Sequence, residues 1–392
     1  MQDNKSTLVQ DPPAHKQEEK PKHSRKKVKY TLCSLSALFA GIWGYLQQPQ
    51  YVSPKVVKQD YQGKYYDGAF HNPTISEAPI VKGSSLGIMY RFLFEKDVDA
   101  KPLTDIPSTK TDLMALDRAQ NVIVWMGHSS YYVQLEGKRF LIDPVFSKNA
   151  SPVPETNVAF KGSNVYSAAD IPEIDYLLIT HDHWDHLDYP TIHALTSKIH
   201  QVVTPIGVGS YFRQWGFDNQ NIFEGDWYDT FKADDVNIHI LPSHHFSGRM
   251  LKRNQTLWGS FGIETAQHKL YFGGDSGYAS HFKEIAAKFG SFDIAVLEDG
   301  QYNKDWPDIH MTPEQTAQAA VDLNARALIP AHNSKFKLAH HTWYDPLDRI
   351  TQASRERPYR LMTPMIGETI LVDQPHQEFS QWWKGEKEIN AI

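Results

Sequence analysis

Hydrophobic and polar positions divide the chain into a polar leader, one uncharged run, an irregular lead-in and a long body of short apolar segments. The body begins at 121, where NVIVWMG (121–127), YYVQLEG (131–137) and RFLIDP (139–144) read as three strands joined by turns at 127–129 and 136–138. YLLIT (176–180) is an apolar strand running directly into His181. A helical stretch over 189–198 and a strand QVVTP (201–205) come next. Four more strands follow, VNIHILP (236–242), SFGIET (260–265), KLYFGG (269–274) and IAVLE (294–298). Thr312 as N-cap and Pro313 in the first turn open a helix over 312–325. That helix feeds the strand RALIPA (326–331), which ends on His332. Antiparallel strands first and strand–helix alternation later predict two packed sheets with helices outside, a four-layer α/β sandwich. His181, Asp275 and His332 each follow a predicted strand, so loops at one rim can bring them together. No internal repeat is visible.

The first 115 residues read differently. Positions 1–29 carry eight Lys/Arg against four acids and too little apolar surface to fold, which predicts a disordered basic leader. The apolar run YTLCSLSALFAGIWGYL (30–46) admits three readings: a membrane anchor, a cleaved signal segment, or a buried helix. No small-x-small cleavage site is evident, and the long basic leader suits an anchor over 30–47. Trp43 and Tyr45 would then sit at the interface, and the positive-inside rule would place 48–392 on the non-cytoplasmic side, the periplasm in a bacterium. The lead-in spans 48–115, with a short amphipathic helix expected over 87–95 to pack on the core. The hydrolase body is expected over 116–372, and a tail over 373–392.

Composition narrows the chemistry. A formal charge of −6 gives no general case for a nucleic-acid partner. The single cysteine, Cys33, excludes an internal disulfide and a cysteine-based zinc cage. Any metal must therefore be held by His, Asp or Glu, and the chain has 19 histidines.

They cluster in THDHWDH (180–186), three His and two Asp directly after an apolar strand. His181 and His183 can grip one cation; Asp185 and His186, a turn later, can grip a second. Imidazole and carboxylate suit zinc, with iron or manganese as alternatives. Later strand ends offer His244 or His245, Asp275 among glycines, and His332. A carboxylate is the natural bridge between two cations, since it has two oxygens and a charge that offsets their repulsion.

The pattern HxHxDH, followed by His, Asp and His at later strand ends, resembles the metallo-β-lactamase superfamily. Within it, the segments LIDPVFS, THDHWDHLD, LPSHHFSGR, TLWGSFGIE, FGGDSGY, IHMTPEQ and PAHNSKF are similar to the branch of N-acylphosphatidylethanolamine phospholipase D and UlaG-like hydrolases. The similarity runs from about 121 to 336 and leaves out the lead-in. It implies an αββα sandwich binding two Zn2+. His181, His183 and one of His244/His245 would hold the first ion, with His245, which precedes an aromatic, the better match. Asp185, His186 and His332 would hold the second, and Asp275 would bridge. Asp143 would orient a ligand histidine. His128 would support the site or pack, and His310 would face substrate or be structural. Asp185, Asp275 and His310 are the expected catalytic residues. His239, His268, His281, His340 and His341 have no motif context and read as surface or loop histidines.

Two such cations about 3.5–4 Å apart would share a water and supply hydroxide at neutral pH. The implied activity is phosphodiester hydrolysis of a small molecule or phospholipid, with N-acylphospholipids first. A lactonase or other esterase is the alternative. A membrane-tethered binding or envelope protein with a degenerate site is the alternative of another class.

Overall fold

The computed structural model describes residues 22–54, 64–72, 84, 87, 90, 99–233, 235–249 and 252–385. Two compact units are distinguished, Met1–Gln48 and Pro49–Ile392. The helix expected over 87–95 lies outside the described residues except at 87 and 90, as does the leader before Lys22.

The first unit contains helix α1 (Lys22–Leu46), which begins inside the basic segment expected to stay unfolded. The anchor reading needs correction: among the described residues no helix is long and apolar enough to cross a membrane. At about 1.5 Å per residue the uncharged part of α1 extends ~26 Å, against about 30 Å of bilayer hydrocarbon. Ser34, Ser36, Gly41 and Gly44 dilute its apolar character further. The orientation argument that put 48–392 across a membrane goes with it.

The second unit opens with a hairpin, β1 (Tyr65–Tyr66) and β2 (Ala69–Phe70), turned by Asp67 and Gly68 at positive φ. Two seven-stranded sheets follow. The first contains β3 (Val122–Trp125), β4 (Tyr131–Leu135), β5 (Lys138–Ile142), β6 (Ile174–Leu178), β7 (Ile199–Pro205) and β8 (Ile222–Gly225). The second contains β9 (Thr230–Ala233), β10 (Val236–Leu241), β11 (Ser260–Glu264), β12 (Lys269–Phe272), β13 (Ile294–Glu298), β14 (Ala327–Ala331) and β15 (Arg360–Leu361). β16 (Thr369–Leu371) returns to the first sheet beside β3. Although no repeat shows in the sequence, the sheets share one plan. β3–β4–β5 and β10–β11–β12 are antiparallel meanders, and each runs on into parallel strands.

Side-chain alternation builds the four expected layers. Ile123 and Trp125 of β3 face the core between the sheets, while Val122 and Val124 face outward. Ile294 and Val296 of β13 point inward, Ala295 and Leu297 outward. Helices α2 (Tyr189–Leu195) and α3 (Gly209–Gln214) cover the outer face of the first sheet through Ile192, Leu195 and Phe212. Helices α4 (His281–Phe289), α5 (Pro313–Asp322) and α6 (Asp345–Ala353) cover the second through Phe282, Ile285, Ala317, Ala320 and Ile350. Strands buried on both faces are apolar throughout rather than alternating, which is why they read clearly in the sequence.

Within the stretch expected as a tail, Trp382 and Trp383 join the core between the sheets. Trp383 is fully buried and Trp382 nearly so, with the Trp382 ring 6.5 Å from Trp125 and 6.4 Å from Trp343. Phe261 of β11 lies in the apolar layer between the sheets with no exposed surface. Phe261→Ala should cost about 3–5 kcal/mol. Urea unfolding measures it, and a loss near zero would mean the sheets do not depend on that layer.

Candidate metal centre

The loops that leave β6, β12 and β14 converge. Ile179 continues β6 by donating its N–H to Val203, and His181 follows two residues later. Gly273 and Gly274 separate β12 from Asp275. A side chain at Gly274, which has φ +57°, would place its Cβ 2.8 Å from that of Thr180, so only glycine lets the two loops approach this closely. His332 follows β14 at once, with φ 62°. His128 and Asp143 also have left-handed φ values, 56° and 41°. Such strain in non-glycine residues gathers where the surrounding structure fixes side chains for function.

The side chains form two adjoining groups. In the first, Nε2 of His181 lies 2.8 Å from Nδ1 of His183, and Nε2 of His245 lies 3.3 Å from the same atom. Oδ2 of Asp275 faces this group, 3.8 Å from His181 and 3.6 Å from His245. In the second, Nε2 of His186 is 3.4 Å from Oδ2 of Asp185, and Nε2 of His332 is 4.0 Å from it. Oδ1 of Asp275 faces this group, 3.1 Å from His186 and 3.2 Å from Nδ1 of His332. Asp275 therefore stands between the two. His245, not His244, joins the cluster; Nδ1 of His244 turns to the Asp308 carbonyl at 2.9 Å.

A supporting layer fixes these rings. Asp143 accepts from the N–H and hydroxyl of Thr180 and lies 2.7 Å from Nδ1 of His186. The Thr180 hydroxyl sits 3.0 Å from Nδ1 of His181. His128 is fully buried with Nε2 2.8 Å from Oδ2 of Asp185, so it supports a carboxylate rather than merely packing. Nδ1 of His245 is 3.0 Å from the Ile309 carbonyl. His310 lies beside the cluster, its ring parallel to that of His332 at 5.2 Å, with Nδ1 2.8 Å from Oε2 of Glu298.

Electrostatics suit cations. Burial holds His181, His245 and His332 well below the usual imidazole range, with neighbouring imidazoles pushing the same way, and takes His183 down to about 3. Neutral imidazole is the form that binds metal. Burial pushes Asp275 up to about 6; in His186, burial opposes but the Asp275, Asp185 and Asp143 carboxylates prevail and raise it. Nε2 of His186, Nε2 of His332 and Oδ1 of Asp275 are buried without a hydrogen bond among the described residues. Each such atom costs about 1–3 kcal/mol. Divalent cations would satisfy all three, and the His/Asp donor set is right for them.

A cavity of ≈ 260 Å³ opens onto these groups. His183, Asp185, Asp275, His310 and His332 form its floor; Phe246, Trp306, Ile309 and Leu338 give it an apolar wall, and Arg253 and Gln301 complete it.

Some contributors escape a sequence reading. Glu298 ends an apolar strand as Asp143 and Asp275 nearly do, and that shared feature is the signal that marks it. Arg253 and Asn72 carry none. His281, expected as a surface or loop histidine, opens helix α4 and is buried with Nε2 3.2 Å from the Ser276 hydroxyl.

A family profile described as a beta-lactamase superfamily domain matches residues 138–333. A Mycobacterium tuberculosis protein named only as uncharacterized is 33% identical over 324 residues, 82% of this chain and 87% of that protein. An N-acyl-phosphatidylethanolamine-hydrolyzing phospholipase D of Caenorhabditis elegans is 28% identical over 247 residues, 58% of this chain and 68% of that one. Among solved structures, a metallo hydrolase from Ignicoccus hospitalis superposes with TM-score 0.50 at 20% identity, covering 64% of this chain and 97% of that one. The chain belongs to the metallo-β-lactamase superfamily. Within that superfamily it is a metal-dependent hydrolase.

Two expectations follow from the supporting layer. Asp143→Asn removes the carboxylate that orients His186 and should weaken zinc binding ten- to hundredfold. Competition with a chromogenic chelator reads this, and unchanged affinity would remove Asp143 from that role. In metal-stripped protein, burial keeps His128 at about 4 and His183 at about 3, whereas unfolding returns both toward 6.5. The unfolded chain then binds more protons in that window, so stability falls as pH drops from 6.5 toward 4. Burial also raises the carboxyls of Asp182, Asp188, Asp275, Glu298 and Asp299, which act in the opposite sense, but the eight imidazoles that it lowers, those of His128, His181, His183, His239, His245, His281, His310 and His332, outnumber them. The urea midpoint of the stripped protein should decline across this range, and a flat or rising midpoint would contradict the burial argument.

Proposed function

We propose that this hydrolase cleaves phosphodiesters, with N-acylphospholipids as its substrate class. One observation carries the reading: the cavity above the paired His/Asp groups combines an apolar wall with a guanidinium at its rim. Arg253 stands 5.0 Å over the Phe246 ring, is exposed, and has no carboxylate partner among the described residues. A cation so placed suits a substrate that carries a negative charge next to an apolar arm. A neutral lactone or ester offers Arg253 no charge to pair with, only a weaker neutral hydrogen bond. The phospholipase D name of the Caenorhabditis elegans relative agrees with this choice.

His181, His183, His245 and Asp275 would hold one ion, and Asp185, His186, His332 and Asp275 the other. Zinc suits these donors, and iron or manganese would also be accepted. Divalent ions here supply Lewis-acid charge and an activated water. The chain's own side chains do the rest. Arg253 binds a phosphate oxygen, and Phe246, Trp306, Ile309 and Leu338 hold the apolar arm. Burial holds the Glu298 carboxyl protonated and the His310 imidazole neutral, so the Glu298 O–H can donate to Nδ1 of His310 and leave that ring's own proton on Nε2. As Nε2 gives its proton to the departing alkoxide, Nδ1 takes the proton of Glu298.

Purified protein should hydrolyse an N-acylphospholipid faster than a lactone, and a chelator should abolish both. Lactone turnover with no phosphodiester turnover would overturn the substrate assignment. Arg253→Gln should raise KM for the phosphodiester about tenfold, the worth of one charge-assisted contact near solvent, and leave a neutral ester unaffected. His310→Ala should lower kcat about a hundredfold with metal content unchanged. Full activity in that variant removes it from proton transfer.

A further inference from the structure

Residues 64–72 precede the matched domain, and they grip the loop that presents His245. Lys64 pairs with Asp226 at 2.7 Å. The β1–β2 turn receives the Gln255 side-chain amide at the Gly68 carbonyl, 2.9 Å, and the Phe70 N–H donates to the Asn254 carbonyl at 2.8 Å. Phe70 itself is buried in the core between the sheets. Asn72 then reaches His245 directly. Its Nδ2 donates to the His245 carbonyl at 2.9 Å, and its Oδ1 accepts from the His245 N–H at 3.2 Å. The same oxygen accepts from the Trp258 indole at 3.0 Å.

We propose that the 64–72 hairpin is a strap for the metal centre and that Asn72 is a positioning residue for His245. This rests on reading His245 as a metal ligand. The physical argument is that one planar amide holds both backbone polar groups of a single residue. Two bonds across one residue restrain rotation of its backbone, which aims the imidazole. The ring is held from its other side by the Ile309 carbonyl, so strap and ring contact together leave it one orientation. Residues 243–249 and 252–258 form no strand or helix, and this support comes to them from outside. The matched domain is then incomplete at its own metal centre without a segment that lies more than sixty residues upstream.

The test uses the full chain, with zinc as the probe and a competing chelator to read the two binding steps. His245→Ala defines which step depends on that ligand. Asn72→Ala should weaken the same step about tenfold and leave the other unchanged. Gln255→Ala, which loosens the strap without touching His245, should weaken it about threefold, the worth of one hydrogen bond. An unchanged isotherm for Asn72→Ala overturns the proposal. So does equal weakening of both steps, which is what general loosening produces. Where Asn72→Ala does not fold, Gln255→Ala decides: loss confined to the His245 step supports the strap, and no loss overturns it. The readout is bound zinc, so a failed phosphodiesterase assay leaves this result standing. His245→Ala with both steps intact would instead refute the ligand assignment.

Discussion

The structure depends on a single carboxylate placed between two groups of imidazoles. Asp275 turns one oxygen to His181 and His245 and the other to His186 and His332, within a site that is almost wholly buried. Concentrating ionisable groups in an apolar sandwich is expensive unless their charge and hydrogen-bonding capacity are matched. Asp185, Asp275 and Asp143 bring negative charge; His186 answers part of it. What remains is a set of buried nitrogens and oxygens without a hydrogen bond among the described residues, gathered in two adjoining groups. This frustration is local, and the apolar layers around it keep it stable.

The supporting residues repeat one chemical device. A carboxylate at or just past the end of an apolar strand takes hold of a histidine, as Asp143 holds His186 and Glu298 holds His310. The arrangement is possible because the strand ends lie at one rim and the backbone there is forced into left-handed turns at His128, Asp143 and His332. Both sheets follow the same plan of meander and parallel strands, so each delivers an acid to equivalent ends: Asp143 after β5 and Asp275 after β12.

The paired His/Asp groups sit on the superfamily frame, while the cavity wall comes from loops and the 64–72 hairpin from the lead-in. A C. elegans phospholipase D and an archaeal metallo hydrolase share the frame at modest identity, and fold alone does not select a substrate. Phe246, Arg253 and Trp306, which line the cavity, come from loops between the strands, and under the proposed reading selection would lie with them. The lead-in contributes as well, through Phe70 in the core and Asn72 on the His245 backbone.

Local chemistry determined much of this by itself. The strands β3 to β7 and β10 to β14 were legible because apolar runs bounded by glycine, proline or charge have few other ways to bury themselves. THDHWDH, Asp143 and Asp275 were legible for the same reason: a polar residue after such a run must face a rim. Short elements were not, since β8, β9, β15 and β16 have two to four residues each and carry too little pattern. The 30–46 run could not be told from a span by apolarity, because length and dilution by Ser and Gly decide that. The resemblance already preferred His245 to His244, whereas the burial of Trp382 and Trp383, the Glu298–His310 pair and the Asn72 contact were decided only in three dimensions. Each depends on which distant segment arrives beside it, and adjacent residues in one chain say nothing about that.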